Sequence, residues 1–224
     1  MGGSALEVNR REIYRYLGFG GTNPEERTRI LVENCLEELF QAADCRSFYR
    51  RFPLTVTGDG EMDLTCFRTE SRDLARALKG CTEVALFAAT LGAGVDMLLR
   101  RYSRLAMSRA VILQAASAAM IESYCDQVCC DLRQELEREG LYPRPRFSPG
   151  YGDFPLSCQT AICRGLETEK RVGVALTEHL LMVPSKSVTA VIGIGRAPGN
   201  CGVEGCEACG KMDCAYRRME PENV

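Results

Sequence analysis

The residues best equipped for chemistry sit in a ten-residue stretch, Arg146-Phe147-Ser148-Pro149-Gly150-Tyr151-Gly152-Asp153-Phe154-Pro155. Pro149 fixes its own φ and pushes Ser148 toward an extended shape. Gly150 and Gly152 admit backbone angles and close approaches that a Cβ would block. Between them Tyr151 is held out as an aromatic plate. Such a loop is stiff and exposes backbone N–H and C=O groups, which suits gripping a flat, polar small molecule. It also suits a plain connection between two elements, and composition alone favours the plain connection.

A second group is the cysteine set Cys201, Cys206, Cys209 and Cys214, spaced C-x4-C-x2-C-x4-C. Four thiolates this close can surround one tetrahedral metal ion or an iron–sulfur cluster. The central C-x2-C favours zinc, and the tail 197–224 is expected to be a separate metal-binding appendage to a domain over residues 1–196. A third candidate is Glu122. It falls on a helical stripe of Val111, Ala115, Ala118, Cys125, Cys129, Leu132 and Leu136. A charge there needs a partner. It either sits on the rim of a wide apolar face, which Met120, Ile121, Tyr124 and Val128 would allow, or awaits a cationic ligand. The only histidine, His179, lies in an apolar run and reads as structural.

The totals bound these candidates. With 224 residues the chain can bury a large core, and its net charge of −2 comes from intermixed acids and bases. No basic footprint for nucleic acid is present, nor an apolar run long enough to span a bilayer. The first residues lack a signal-peptide core, so the expectation is a cytoplasmic protein. Thirteen cysteines in such a chain imply reduced thiols or metal ligands rather than a disulfide scaffold.

Several elements must position these residues. Residues 6–17 predict a short helix. Thr22 or Asn23 followed by Pro24 predicts the start of another, running to about Ala43 with Ile30, Cys35, Leu36, Leu39 and Phe40 inward. Residues 47–67 alternate and turn at Gly58-Asp59-Gly60, which predicts a hairpin. Ser71 caps a short helix through Leu78. Residues 83–91 form a buried strand, and Gly92-Ala93-Gly94 leads into a helix. That junction could cradle an anion but reads better as a tight turn. Residues 108–139 form the longest helix. Residues 156–164 and 165–172 are helical, and 176–183 and 188–194 are strands. Helices mixed with paired short strands imply α+β.

Some of these residues carry a family resemblance. The run Ser148-Pro149-Gly150-Tyr151 is followed by Leu166-Glu167-x-Glu169-Lys170-x-x-Gly173-x-x-Leu176-Thr177-Glu178 and by Met182-x-Pro184-x-x-Ser187-Val188. Arg15-Tyr16-Leu17-Gly18 and Ala89-Thr90-Leu91-Gly92 precede them. In order and spacing, over most of residues 8–195, the chain resembles the activation (reactivation) domain of cobalamin-dependent methionine synthase in its stand-alone bacterial form. The resemblance implies a single C-shaped domain with a bent, twisted antiparallel sheet and flanking helices. It implies binding of S-adenosylmethionine and presentation of its methyl group to cobalamin held by a separate methionine synthase polypeptide, with a flavodoxin-like or other reductant. It further implies ligand contacts at Arg146, at the Ser148 backbone and at Glu122, with Tyr151 beside the corrin. Glu139 is an approximate counterpart of a second family glutamate. Phe147 stands where the family has proline. The alternative is a redox or docking accessory, through its metal tail, for another corrinoid methyltransferase.

The cysteine tail generates a direct expectation. Anaerobically purified full-length chain should carry zinc and stay colourless. Visible charge-transfer absorbance would instead report an iron–sulfur cluster, and metal-free protein by elemental analysis would sink the tail as a metal site.

Overall fold

The structure, a computed structural model, describes residues 6–19, 22–57 and 60–198. The predicted metal ligands Cys201, Cys206, Cys209 and Cys214 lie outside them.

Strand alternation explains the architecture. The longest strands, β5 (Cys81–Thr90) and β9 (Ser187–Gly195), pair antiparallel at the centre of a four-stranded sheet. Both are almost continuously apolar because both of their faces are covered. Ala85, Phe87 and Ala89 of β5, with Ala190, Ile192 and Ile194 of β9, point into one core. Val84, Leu86, Ala88 and Val191 point into the other. β1 (Arg46–Pro53) flanks β5, and β6 (Tyr142–Pro143) flanks β9, giving the order β1-β5-β9-β6. Arg46, Arg50 and Arg51 make the β1 edge a poor template for adding another strand.

The first core is closed by helices. These are α1 (Arg10–Tyr16), α2 (Glu26–Ala42), α4 (Ala93–Leu105) and the long α5 (Met107–Arg138). The second core is closed by a small antiparallel sheet of β2 (Thr55–Val56), β3 (Glu61–Asp63) and β4 (Arg68–Glu70). It is completed by α3 (Arg72–Ala77), α6 (Cys158–Leu166), α7 (Thr168–Arg171) and the two-residue strands β7 (Ala175–Leu176) and β8 (Met182–Val183). The class is α+β, as expected. No helix among the described residues is long and apolar enough to cross a membrane.

Several elements differ from expectation for physical reasons. The expected hairpin over 47–67 divides between two sheets. Its first strand pairs β5 along eight residues, and only Thr55–Val56 turns back onto β3. The expected strand over 176–183 is a turn between β7 and β8. The Leu181 amide donates to Thr177 Oγ1, the Thr177 amide donates back to the Leu181 carbonyl, and Leu180 takes a left-handed φ of 60°. His179 is therefore exposed in a turn, not buried in a strand. In α2 the N-cap is Glu25 rather than Thr22 or Asn23, and Ile30 and Phe40 face solvent while Val32 turns inward.

The Gly92–Gly94 junction is a matter of close packing. Gly92 adopts φ +81°, and its amide donates to Thr90 Oγ1. A Cβ on Gly94 would stand 2.1 Å from the Ala42 carbonyl oxygen. Alanine at 94 should therefore destabilise the fold by about 1–3 kcal/mol through overpacking against rigid backbone. Its better helix propensity, worth up to about 1 kcal/mol, opposes but does not cancel this. Denaturant unfolding should show a lower midpoint with an unchanged slope, and a midpoint at or above wild type would refute the packing account.

Candidate functional site

The site is built on the free side of β9. After β6 the chain continues along β9, and the Arg144 amide donates to the Gly193 carbonyl at 2.7 Å. Phe147 and Val191 then exchange both backbone hydrogen bonds, each at 2.9 Å. Side chains alternate across this short extended segment. Phe147 enters the second core, where it meets Phe154 at a ring-centroid distance of 6.2 Å. Arg146 goes to the opposite face, toward α5.

There its guanidinium reaches two carboxylates. Arg146 Nη2 donates to Asp126 Oδ1 at 2.7 Å and to Glu122 Oε2 at 3.2 Å. Glu122 and Asp126 are four apart on α5, so they share one face, and without a cation between them they would repel. The arginine side chain is 18 % exposed and the glutamate 41 %. Glu122 thus sits on the rim of the apolar stripe, and its cation within the chain is Arg146. The formal charge of the trio is one negative. Such a group can receive a ligand that carries a carboxylate for the guanidinium and an excess of positive charge for the acids.

Beyond Arg146 the chain closes a compact loop. The Tyr151 amide donates to the Ser148 carbonyl, Phe154 N–H to the Tyr151 carbonyl, and Gly150 N–H to the Phe154 carbonyl. Gly150 and Gly152 take φ of +91° and +53°, which is why glycine stands at both. Phe154 is buried in the second core, while Tyr151 is 69 % exposed. The aromatic plate expected between the two glycines is therefore present, with the partly buried Phe147 and the buried Phe154 anchoring the loop on either side. The Ser148 carbonyl is taken up by the loop's own turn.

Asp153 ties this loop to α3. Its carboxylate accepts from the Ser71 hydroxyl and from the amides of Arg72, at 2.8 Å, and Asp73, at 3.1 Å. Asp73 answers by accepting the Asp153 amide. Donation from Ser71, joined by these amides, holds the Asp153 carboxyl below the usual carboxylate range.

Arg146 and Glu122 thus meet directly, and Tyr151 and Ser148 share the loop that follows Arg146 in the chain. Glu139 does not join them. It caps the far end of α5, about 25 Å along the helix from Glu122 at 1.5 Å per residue, and pairs with Arg51 at 2.7 Å. Sequence reasoning missed Asp126 and Asp153. Asp126 was detectable as the i+4 neighbour of Glu122, whereas nothing local announces that Asp153 meets Ser71. Among the described residues no group of three or more metal-ligating side chains is assembled.

Residues 73–198, more than half of the chain, match the family described as vitamin B12 dependent methionine synthase, activation domain. The chain belongs to that family. The matched region contains Glu122 and the whole loop. The crystal structure of the MetH reactivation domain bound to AdoHcy has a similar fold, with a TM-score of 0.58, 18 % identity, and coverage of 82 % of this chain and 74 % of that one. At that identity the likeness concerns the fold. No curated protein sequence matches the chain.

The Asp153 tether gives a pH-dependent expectation. A carboxyl whose folded pKa is lowered contributes stability that is full above its unfolded value, near 3.9, and is lost as pH falls through the folded value. Asp153→Asn should speed hydrogen exchange at the Arg72 and Asp73 amides near neutral pH. The difference from wild type should shrink below about pH 4. A difference that persists undiminished in acid would rule out the charge as its source.

Proposed function

We propose that the chain is a reactivation protein that binds S-adenosylmethionine at the Arg146 loop and offers its methyl group to cobalamin carried by a separate methionine synthase polypeptide. The observation that carries this reading is the singly negative Arg146–Glu122–Asp126 trio beside a pinned loop with an exposed tyrosine. The methionine end of the ligand has a carboxylate, an ammonium and a sulfonium, so its net charge of about +1 complements the trio. Arg146 would hold the carboxylate, and Glu122 and Asp126 the positive groups. Tyr151 would offer its flat face to the corrin.

The chemistry asks for alignment rather than for acid–base catalysis. The sulfonium supplies its own leaving group and the reduced corrin supplies the nucleophilic cobalt. The side chains here bind, orient and keep the methyl group in line. Family membership supports the same role, as does the AdoHcy held by the reactivation domain of similar fold. A flavodoxin-like or other reductant would return the cobalt to its nucleophilic state, and the cytoplasm is the compartment that fits. The alternative, a redox or docking accessory for another corrinoid methyltransferase, draws support from the spacing of Cys201, Cys206, Cys209 and Cys214 alone.

Calorimetric titration of the full chain with S-adenosylmethionine should show saturable binding. Arg146→Ala should weaken it by about 1.5–3 kcal/mol, the worth of a charged hydrogen bond. Glu122→Gln should cost about half as much because that carboxylate is half exposed. S-adenosylhomocysteine lacks the sulfonium charge and should bind more weakly to wild type, with the gap narrowing in Glu122→Gln. Equal affinity for both ligands in wild type and variant would remove the electrostatic basis of the assignment. In reconstitution with methionine synthase and a reductant, methylcobalamin should return only when this protein is present.

A further inference from the structure

One turn beyond Glu122 toward the start of α5, the protein surface opens into an apolar groove of ≈ 480 Å³. Tyr16 of α1, Ser103 of α4, and Met107, Val111, Gln114 and Ala118 of α5 line it. Met107 is 67 % exposed, and Val111 is exposed beside it. Leu105, two residues before Met107 at the end of α4, is exposed as well. Scattered exposed apolar residues are ordinary, but Leu105, Met107 and Val111 cluster where α4 passes into α5, beside the groove, and such a cluster marks an interaction surface.

Its charge is equally one-sided. Between Asp96 and Glu122 the sequence holds Arg100, Arg101, Arg104 and Arg109 and no acid, in a chain whose net charge is −2. Arg109 is taken up by Glu38. Arg100, Arg101 and Arg104 stand exposed on the turns of α4 that carry Ser103. The face is therefore an apolar trough with a basic flank. Its far end, Ala118, lies four residues and so about one helical turn from Glu122.

We infer that this α4–α5 face docks the cobalamin-carrying partner, with an apolar ridge of that partner in the groove and acidic side chains against Arg100, Arg101 and Arg104. The inference rests on the function proposed above. A carrier that sets its corrin against Tyr151 and the Arg146 trio must cover the neighbouring surface, and the groove is the surface that runs straight out of the trio. Complementary charge would orient the carrier before contact, and burial of Met107 and Val111 would hold it. A phosphate-rich or lipid surface could use the arginines, but neither would need a trough that ends at a methyl-donor site.

The test uses the full chain and, as probe, the cobalamin-binding module of a methionine synthase loaded with methylcobalamin. Association measured by surface-immobilised kinetics should weaken with salt. Arg100→Glu combined with Arg104→Glu should lower affinity by roughly tenfold or more, mainly through the on-rate, and flatten the salt dependence. Val111→Glu, at an exposed position, should raise the off-rate. S-adenosylmethionine affinity, measured on the same variants, should stay at the wild-type value. Loss of carrier binding with intact S-adenosylmethionine binding supports the docking face. Unchanged carrier binding in all variants overturns it, as does self-association of the chain that Val111→Glu abolishes, or binding to anionic vesicles in place of the carrier. Failure of S-adenosylmethionine to bind wild type, with carrier binding intact and sensitive to these variants, would count against the proposed ligand site and leave the docking face standing.

Discussion

Two backbone hydrogen bonds decide where the site is. The reciprocal pair between Phe147 and Val191 fixes an extended segment against the side of β9, and alternation does the rest. One side chain is sent into the second core as an anchor and its neighbour into the first layer as a charge. Arg146 meets α5 because Phe147 cannot turn the other way without leaving Phe154 and Val191 unpacked. A slip of one residue would exchange the two, burying a guanidinium among apolar rings. The resemblance implied proline where this chain has Phe147. The exchange supplies an amide donor to the pair and a ring to the core.

The same economy governs the loop. Its stiffness comes less from Pro149 than from three attachments outside it: Phe147 and Phe154 in the core, and Asp153 on the first turn of α3. Proline and glycine set which angles are open, and the attachments select among them. The surroundings of α5 show a comparable division. Its C-terminal half is stapled to β1 through Tyr124 to Ser47 and Tyr49 to Glu135, and burial, joined by the Glu135 bond, pushes the Tyr49 hydroxyl up to about 12. Its N-terminal half is left with an open face.

Much of this was legible in the residues. Long elements with one dominant period were readable: α5, β5 and β9 lie where apolar spacing puts them, and the cap at Ser71 is where its residue type predicts. The loop's composition gave its character, and the exposure of Tyr151 followed from the flanking glycines. Short elements were misread because their partners are remote. Nothing in residues 47–67 says that β1 will pair with β5 along its whole length, and Thr177-Glu178-His179 looked like part of a strand until the bonds between Thr177 and Leu181 closed a turn. The resemblance implied ligand contacts at both Glu122 and Arg146, and the two side chains meet in an ion pair at 3.2 Å. It also suggested Glu139, and the helix itself refutes proximity, since a rigid rod of that length keeps its ends apart.

The pinning of Tyr151 has a thermodynamic corollary. Because the ring is already displayed, whatever lies against it meets a surface that needs no ordering, so contact should release water without the entropic drag of freezing a mobile loop. A loop of this kind recognises by rigid fit. It trades adaptability for speed of registration.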